Sequence, residues 1–236
     1  MQLKVPLSPK ATIDRALARA VAAQGLWAAA GGTGPVRTPS ARAKARMVTL
    51  LWSDPAMLAD WGYLATAAGG TKFLSLTALL VDVLPRLAEL ERFVGIDWTA
   101  DPVRPELDAG ELARRLRQAL KAAFVRQAVE SGSVWILQGA EGLSCLISKL
   151  QPGREFVPCW GERGDAELRI AGPLRDTVAA EVPLAAVRDR LLVWAAETGR
   201  LAAPGFCEGD GGIEVEAGEL IGDLVEAPVR VGGACR

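Results

Sequence analysis

The chain has 236 residues, half of them apolar, with 27 Lys plus Arg against 28 Asp plus Glu. That composition belongs to a globular chain rather than a disordered one, and the near-zero net charge offers no global attraction to nucleic acid or an anionic membrane. There is no histidine, which excludes Ser-His-Asp and Cys-His catalysis, His-ligated zinc and the commonest general base.

The first stretch, "MQLKVPLSPK", has no apolar core of signal-peptide length. The longest apolar run, Phe73–Leu84, is interrupted by Asp82 and is too short to span a bilayer. The expected location is cytoplasmic, with no membrane partner. A first helix is expected from Ser8 as N-cap and Pro9 at its first position, with Ile13, Leu17 and Val21 on one face. Strands follow at Leu26–Ala29 and in "MVTLLW", ending on Trp52. "SDPAMLADW" opens a second helix with Ser53 as cap and Pro55 in the first turn. A longer helix over Leu76–Glu91 and a strand over Phe93–Trp98 come next. "DAGEL" then starts a closing helix, with Asp108 as cap and Glu111 reaching back in a capping box. From Glu111 to Ser131 there is neither Gly nor Pro, and Leu112, Leu116, Leu120, Phe124 and Ala128 keep helical spacing.

"AGEL" occurs again at Ala217–Leu220, 108 residues later. Sliding residues 11–116 over 119–224 without a gap gives 21 identities, where chance in so biased a composition gives roughly half as many. They include Trp27 on Trp135, Trp52 on Trp160, Arg46 on Arg154 and Glu106 on Glu214. The reading is α/β (α+β): two tandem copies of a helix-strand-strand-helix-helix-strand-helix domain related by a 108-residue shift. The copies would occupy residues 1–118 and 119–236, joined by a near-continuous helix. Within the second, "SCLISKLQPGREFVPCW" reads as a hairpin turning at Pro152-Gly153 with Gln151 opposite Arg154. That register sets Cys145 and Cys159 on opposite faces and gives no disulfide.

With these parts laid out, "LLWSDPAMLADW" and "VGIDWTADPVRPELDAGELARRL" resemble the N-terminal domain of the SseB ("enhanced serine sensitivity") family. There a helix and strand lead to "P-x-F-T-S-x-x-x-L-x-x-W". "SVWIL" and "VPCW" resemble the paired "VW-x-L" and "P-x-W" strands of the bacterial domain of unknown function 2750. Leu50-Leu51 stands where the first pattern has proline, and Arg169 faces Trp61. The resemblance implies a compact α/β interaction module found near bacterial secretion, toxin-immunity or regulatory genes. It carries no catalytic residues onto this chain.

The residues themselves supply little chemistry. The four cysteines include no C-x-x-C pair, so no metal site is expected. "GGTG" at Gly31–Gly34 lacks the G-K-[ST] of a phosphate loop. "CEGDGG" at Cys207–Gly212 lacks the acidic alternation of a calcium loop. Glu89 with Arg92, and Glu197 with Arg200, are spaced to pair along a helix surface. The basic residues of Arg37–Arg46 have no interleaved aromatics, which argues against a nucleic-acid partner. Trp27, Trp52, Trp98, Trp135 and Trp160 fall at shared positions and read as core. Trp61, Tyr63 and Trp194 face Arg169, Ala171 and Arg86, so they stand as candidate partner-binding anchors. No catalytic residue, cofactor or metal ligand is assigned. The expected function is a non-enzymatic bacterial interaction protein, such as an immunity protein or secretion-linked adaptor with a protein partner. The alternative is a small-ligand sensor with a pocket between the copies. The oligomeric state stays open.

Overall fold

The computed structural model describes residues 8–31, 34–59, 70–99, 104–205 and 213–227. They form a mixed α/β protein of two compact units, Met1–Ala119 and Leu120–Arg236.

The first unit opens with α1 (Pro9–Ala23), where the Ser8 hydroxyl accepts from the Ala11 amide at 3.2 Å. The helix buries Ile13, Ala16, Leu17 and Ala20 and stops at Gln24, held at φ 56°. Strands β1 (Gly25–Gly31), β2 (Gly34–Pro35), β3 (Arg37–Pro39) and β4 (Met47–Leu51) follow, then the short helix α2 (Pro55–Ala59). After β5 (Thr71–Ser75) comes α3, residues 76–89, whose middle (Leu79–Val83) is wound as a π-helix. Strands β6 (Phe93–Ile96) and β7 (Glu106–Asp108) complete the unit. β2-β1-β5 form one antiparallel ribbon, and β3-β4-β6-β7 form a second sheet in which β4 and β6 run parallel. A bridge between Trp27 and Trp52, with N···O distances of 2.7 and 2.8 Å, ties the two sheets.

Helix α4 (Ala109–Ser131) is a single 23-residue helix. It leads into β8 (Ser133–Gly139), β9 (Gly142–Leu143), β10 (Leu146–Ile147), β11 (Glu155–Trp160), α5 (Arg163–Glu167) and β12 (Val178–Pro183). Then come α6 (residues 184–197, again with a π segment at Val187–Leu191), β13 (Leu201–Pro204), β14 (Val215–Glu216) and α7 (Ala217–Glu226). Here the strands join one sheet, β12-β8-β11-β13-β14, with β9 and β10 alongside.

The pairings of the first unit recur in the second at a spacing of 108 residues. Gly25 pairs with Ser75 as Ser133 does with Pro183, and Val48 with Phe93 as Phe156 does with Leu201. Phe93 pairs with Asp108 as Leu201 does with Glu216, and Trp27 with Trp52 as Trp135 does with Trp160. A polar clasp recurs too: Ser40 donates to Glu106, and Ser148 to Glu214, each at 2.5 Å.

Each sheet has two faces, because alternate residues of a strand point to opposite sides. One face packs on the short helix. It holds Ala29, Val48, Leu50, Trp52 and Leu58 in the first unit, and Leu137, Phe156, Trp160 and Ala166 in the second. The other face is covered by the long helices. In the second unit it is an apolar cluster that includes Val134, Ile136, Val157, Cys159, Val187, Leu192 and Leu220.

Several expectations are corrected. The strands β5 and β12 between the helices were not foreseen, because "TKFLS" and "VAAEVP" are mostly exposed and lack a clean apolar alternation. Ser53 is not a helix cap. Its amide and hydroxyl donate to the buried Asp97 carboxylate at 2.6 and 2.7 Å, and Asp54 accepts from the Ala56 amide instead. No capping box forms: Asp108 accepts from Gly110, while Glu111 is drawn to Arg114 and Arg115, both at 2.7 Å. The turn at Gln151–Arg154 is present with Gly153 at φ 85°, but the hairpin slips so that Leu146 meets Phe156 and Ile147 meets Glu155. The slip has a visible anchor: the Ser148 hydroxyl accepts from the amides of Leu150 and Gln151 and lengthens the loop.

Candidate functional site

The long-helix face of the first unit is not closed. A cleft of about 560 Å³ lies there, with Ala28 and Ala30 of β1, Thr49 of β4, and Lys72 and Leu74 of β5 among its lining. Helix α3 supplies Asp82, Val83, Arg86, Leu87 and Leu90; Arg37 and Arg92 stand at its strand ends. Alternation along β1 puts Ala28 and Ala30 on one side, each offering only a methyl group to the cleft. The space is therefore written in side-chain size.

Its charged side chains are unengaged. Among the described residues, the side chains of Arg37, Lys72, Arg86, Arg92 and Asp82 make no ion pair or hydrogen bond, so four cations and one carboxylate border the cleft. Thr49 is 1 % exposed, and its hydroxyl is buried without a hydrogen-bond partner among the described residues. A buried hydroxyl left so costs about 1–3 kcal/mol, which a core position would avoid with valine.

The second unit does that at the corresponding position. Moving 108 residues along, Ala28 becomes Ile136, Thr49 becomes Val157, Lys72 becomes Ala180, Leu74 becomes Val182 and Arg37 becomes Cys145. All five belong to or pack against the apolar cluster of that unit. Arg86 becomes Trp194, and Arg200, the counterpart of Arg92, stacks over the Trp194 ring at 4.7 Å. Arg200 is also paired with Glu155 at 2.6 Å, whereas the first unit has Met47 at that place and leaves Arg92 without the partner.

Of the expected partner anchors, Trp61 and Tyr63 lie outside the described residues. Trp194 lies on α6 and remains 37 % exposed, so the structure gives it a packing role under Arg200 together with some open surface. The expected helix-surface pairs do not form: Arg200 turns to Glu155 rather than Glu197, and Arg92 makes no ion pair with Glu89. Arg42 and Arg46 of the basic stretch lie over the Phe93 ring at 5.7 and 5.4 Å, which makes them packing residues. Gly31 pairs with Gly34, and residues 32–33 between them lie outside the described residues. Asp101 and the Cys207–Gly212 loop lie outside the described residues.

Cys145 and Cys159 are free thiols. Burial pushes the Cys159 thiol up to about 12, which leaves it protonated and unreactive at neutral pH. Among the described residues no group of three or more Cys, Asp or Glu side chains is placed to hold a metal ion, and no helix is long and apolar enough to cross a membrane.

The cleft residues were missed because each was read singly. The signal lies in the self-comparison: Ala28, Thr49 and Lys72 stand where the second unit has Ile136, Val157 and Ala180, small or polar residues against apolar ones.

Comparison with known proteins adds a family match and little more. A curated set gives no match. The solved structure of Anabaena Tic22 (protein transport) is 10% identical over 80% of this chain and 90% of that one, and its TM-score of 0.28 supports no argument. Residues 121–224, the body of the second unit, match the family described as "Protein of unknown function (DUF2750)".

Proposed function

We propose that this chain is a non-catalytic bacterial binding protein built by tandem duplication, in which the first unit takes a small ligand and the second has filled the same place with core. The carrying observation is the cleft beside α3, lined by cations that make no ion pair among the described residues, opposite an apolar cluster at corresponding positions. Duplication is supported by strand pairings and polar clasps that recur 108 residues apart. A cleft of this volume falls within the roughly 300–1,000 Å³ typical of small-molecule sites. With no histidine in the chain, positioning and charge are what the site has to offer.

A thermal-shift screen over metabolites tests the reading, since a ligand that binds only the folded state raises the melting temperature with concentration. A hit that loses its shift when the cleft is filled by Ala28→Ile supports it. A screen in which every shift survives that substitution sinks it.

A second reading is a protein-partner module, an immunity protein or secretion-linked adaptor of the cytoplasm. It is favoured by the open part of Trp194 and by Ile147, which is 75 % exposed. Affinity purification from the host should then recover a stoichiometric partner lost with Trp194→Ala. Recovery of no partner under several growth conditions weighs against it.

A further inference from the structure

We infer that the first-unit cleft selects a small organic anion: a carboxylate or phosphate head on a short aliphatic body. The inference rests on the reading of the cleft as a ligand site and assigns its chemistry.

Charge decides the head. Arg37, Lys72, Arg86 and Arg92 all line one cavity, and among the described residues Asp82 is the one carboxylate in its lining. Several arginines outside the cleft do meet a carboxylate: Arg46 meets Glu91 at 2.9 Å, Arg154 meets Glu216 at 2.6 Å and Arg200 meets Glu155 at 2.6 Å. Three arginines and a lysine border the cleft, and none of their side chains has such a partner among the described residues. Guanidinium forks bind carboxylate or phosphate oxygens two at a time, which fixes orientation as well as charge. A divalent cation would be repelled by the four cations and would find, among the described residues, one carboxylate ligand, too few for a cage.

The walls decide the body. Ala28, Ala30, Pro35, Leu74, Val83 and Leu87 are aliphatic, and among the described residues no aromatic ring lines the cleft. Nucleobases and other flat rings are held by stacking on aromatic side chains, so a nucleotide or single-stranded nucleic acid finds no platform among these residues. A short alkyl chain needs only apolar area. The Thr49 hydroxyl at the floor adds one unengaged polar group.

The divergence of the units supports both halves. Where the second unit holds Ile136, Val157, Ala180 and Trp194, the first holds Ala28, Thr49, Lys72 and Arg86. Core would be the cheaper solution, since an unpaired cation beside an apolar wall adds nothing to stability. Arriving together on one face, these replacements both empty a space and charge its rim.

The test uses the full chain, labelled with nitrogen-15 and titrated separately with hexanoate, hexanamide, hexylammonium and inorganic phosphate. Hexanoate is expected to perturb amides of β1, β4, β5 and α3, with hexanamide and phosphate each binding about tenfold more weakly and hexylammonium not binding. Arg86→Gln and Arg92→Gln should each weaken hexanoate by about tenfold and leave hexanamide unchanged. The fold-preserving control is Ala28→Ile with Thr49→Val, residues the second unit already carries at those positions, which should abolish binding of both. Hexanamide binding as tightly as hexanoate, or hexanoate leaving the cleft amides unmoved, overturns the anion assignment. The ligand-site reading itself falls on different ground: it fails if the filled variant binds every metabolite hit as before.

Discussion

The two units share a set of strand pairings at corresponding positions, and the residues on one side of those strands differ between them. On the short-helix side both are core: Trp52 and Trp160 are buried at equivalent points, and Leu58 answers Ala166. On the long-helix side the second unit is packed with Ile136, Val157 and Val182, while the first keeps a cleft rimmed with cations. The lesson is physical. A face that must hold the fold together tolerates only apolar exchange, whereas its opposite face can lose side-chain volume once enough helix contact remains beside it. In the first unit Leu76, Leu79, Leu80 and Leu84 of α3 stay buried and keep that helix in place.

The largest expected effect tests the shared face. Trp52→Ala and Trp160→Ala should each cost about 3–5 kcal/mol, measured by denaturant unfolding. Trp52 also donates its indole N–H to the Trp98 carbonyl at 2.9 Å, a bond that is lost with its ring. A large loss at one tryptophan and none at the other would break the equivalence of the two short-helix faces.

The divergent face should respond asymmetrically. Ile136→Ala opens a hole in a packed cluster and should cost about 2–5 kcal/mol. Ala28→Ile extends toward the cleft and should cost less than the about 1–3 kcal/mol of inserting methylenes into a filled core. Equal losses would mean the first-unit face is packed after all.

A smaller effect lies at a matched pair of replacements. Asp97, at φ 47°, accepts from the Ser53 amide and hydroxyl, whereas the second unit has Gly205 at φ 66° and Gly161 in those places. Asp97→Gly relieves the left-handed backbone but strands two donors, so a net loss of about 1–2 kcal/mol is expected. Adding Ser53→Gly should recover part of it, because the hydroxyl no longer needs an acceptor. Strict additivity in calorimetry would contradict this coupling.

The smallest effect is acid dependence at the start of α4. Hydrogen bonds from Arg114 and then Arg115 hold the Glu111 carboxyl down to about 2, against an ordinary 4.5. Its stabilising contribution is therefore complete above 4.5 and lost as pH falls through about 2. Glu111→Gln should flatten that part of the acid unfolding curve slightly, since the group is exposed and screened. An unchanged curve would remove the pair from the stability of α4.

Much of this was legible in the residues alone. The 108-residue spacing counted from identities is the spacing at which the strand pairings recur. Proline and serine marked the start of α1, and the absence of Gly and Pro over Glu111–Ser131 marked the run of α4. What escaped had long-range causes. Ser53 looks like a cap until Asp97, 44 residues away, takes its donors. Glu111 looks like half of a capping box until two arginines outbid the backbone for it. The hairpin register failed because one hydroxyl, Ser148, reshaped the loop that sets it.

Local chemistry determined which segments are helix or strand and which residues recur, because propensity, caps and alternation act over a few neighbours. Which face became core and which became cleft was decided only in three dimensions. Ala28, Thr49, Lys72 and Arg86 span 58 positions in the chain, and each is unremarkable where it stands. They define a site only when strand pairing and the overlying helix bring their side chains around one cavity, and cavities are properties of packing that no single stretch contains.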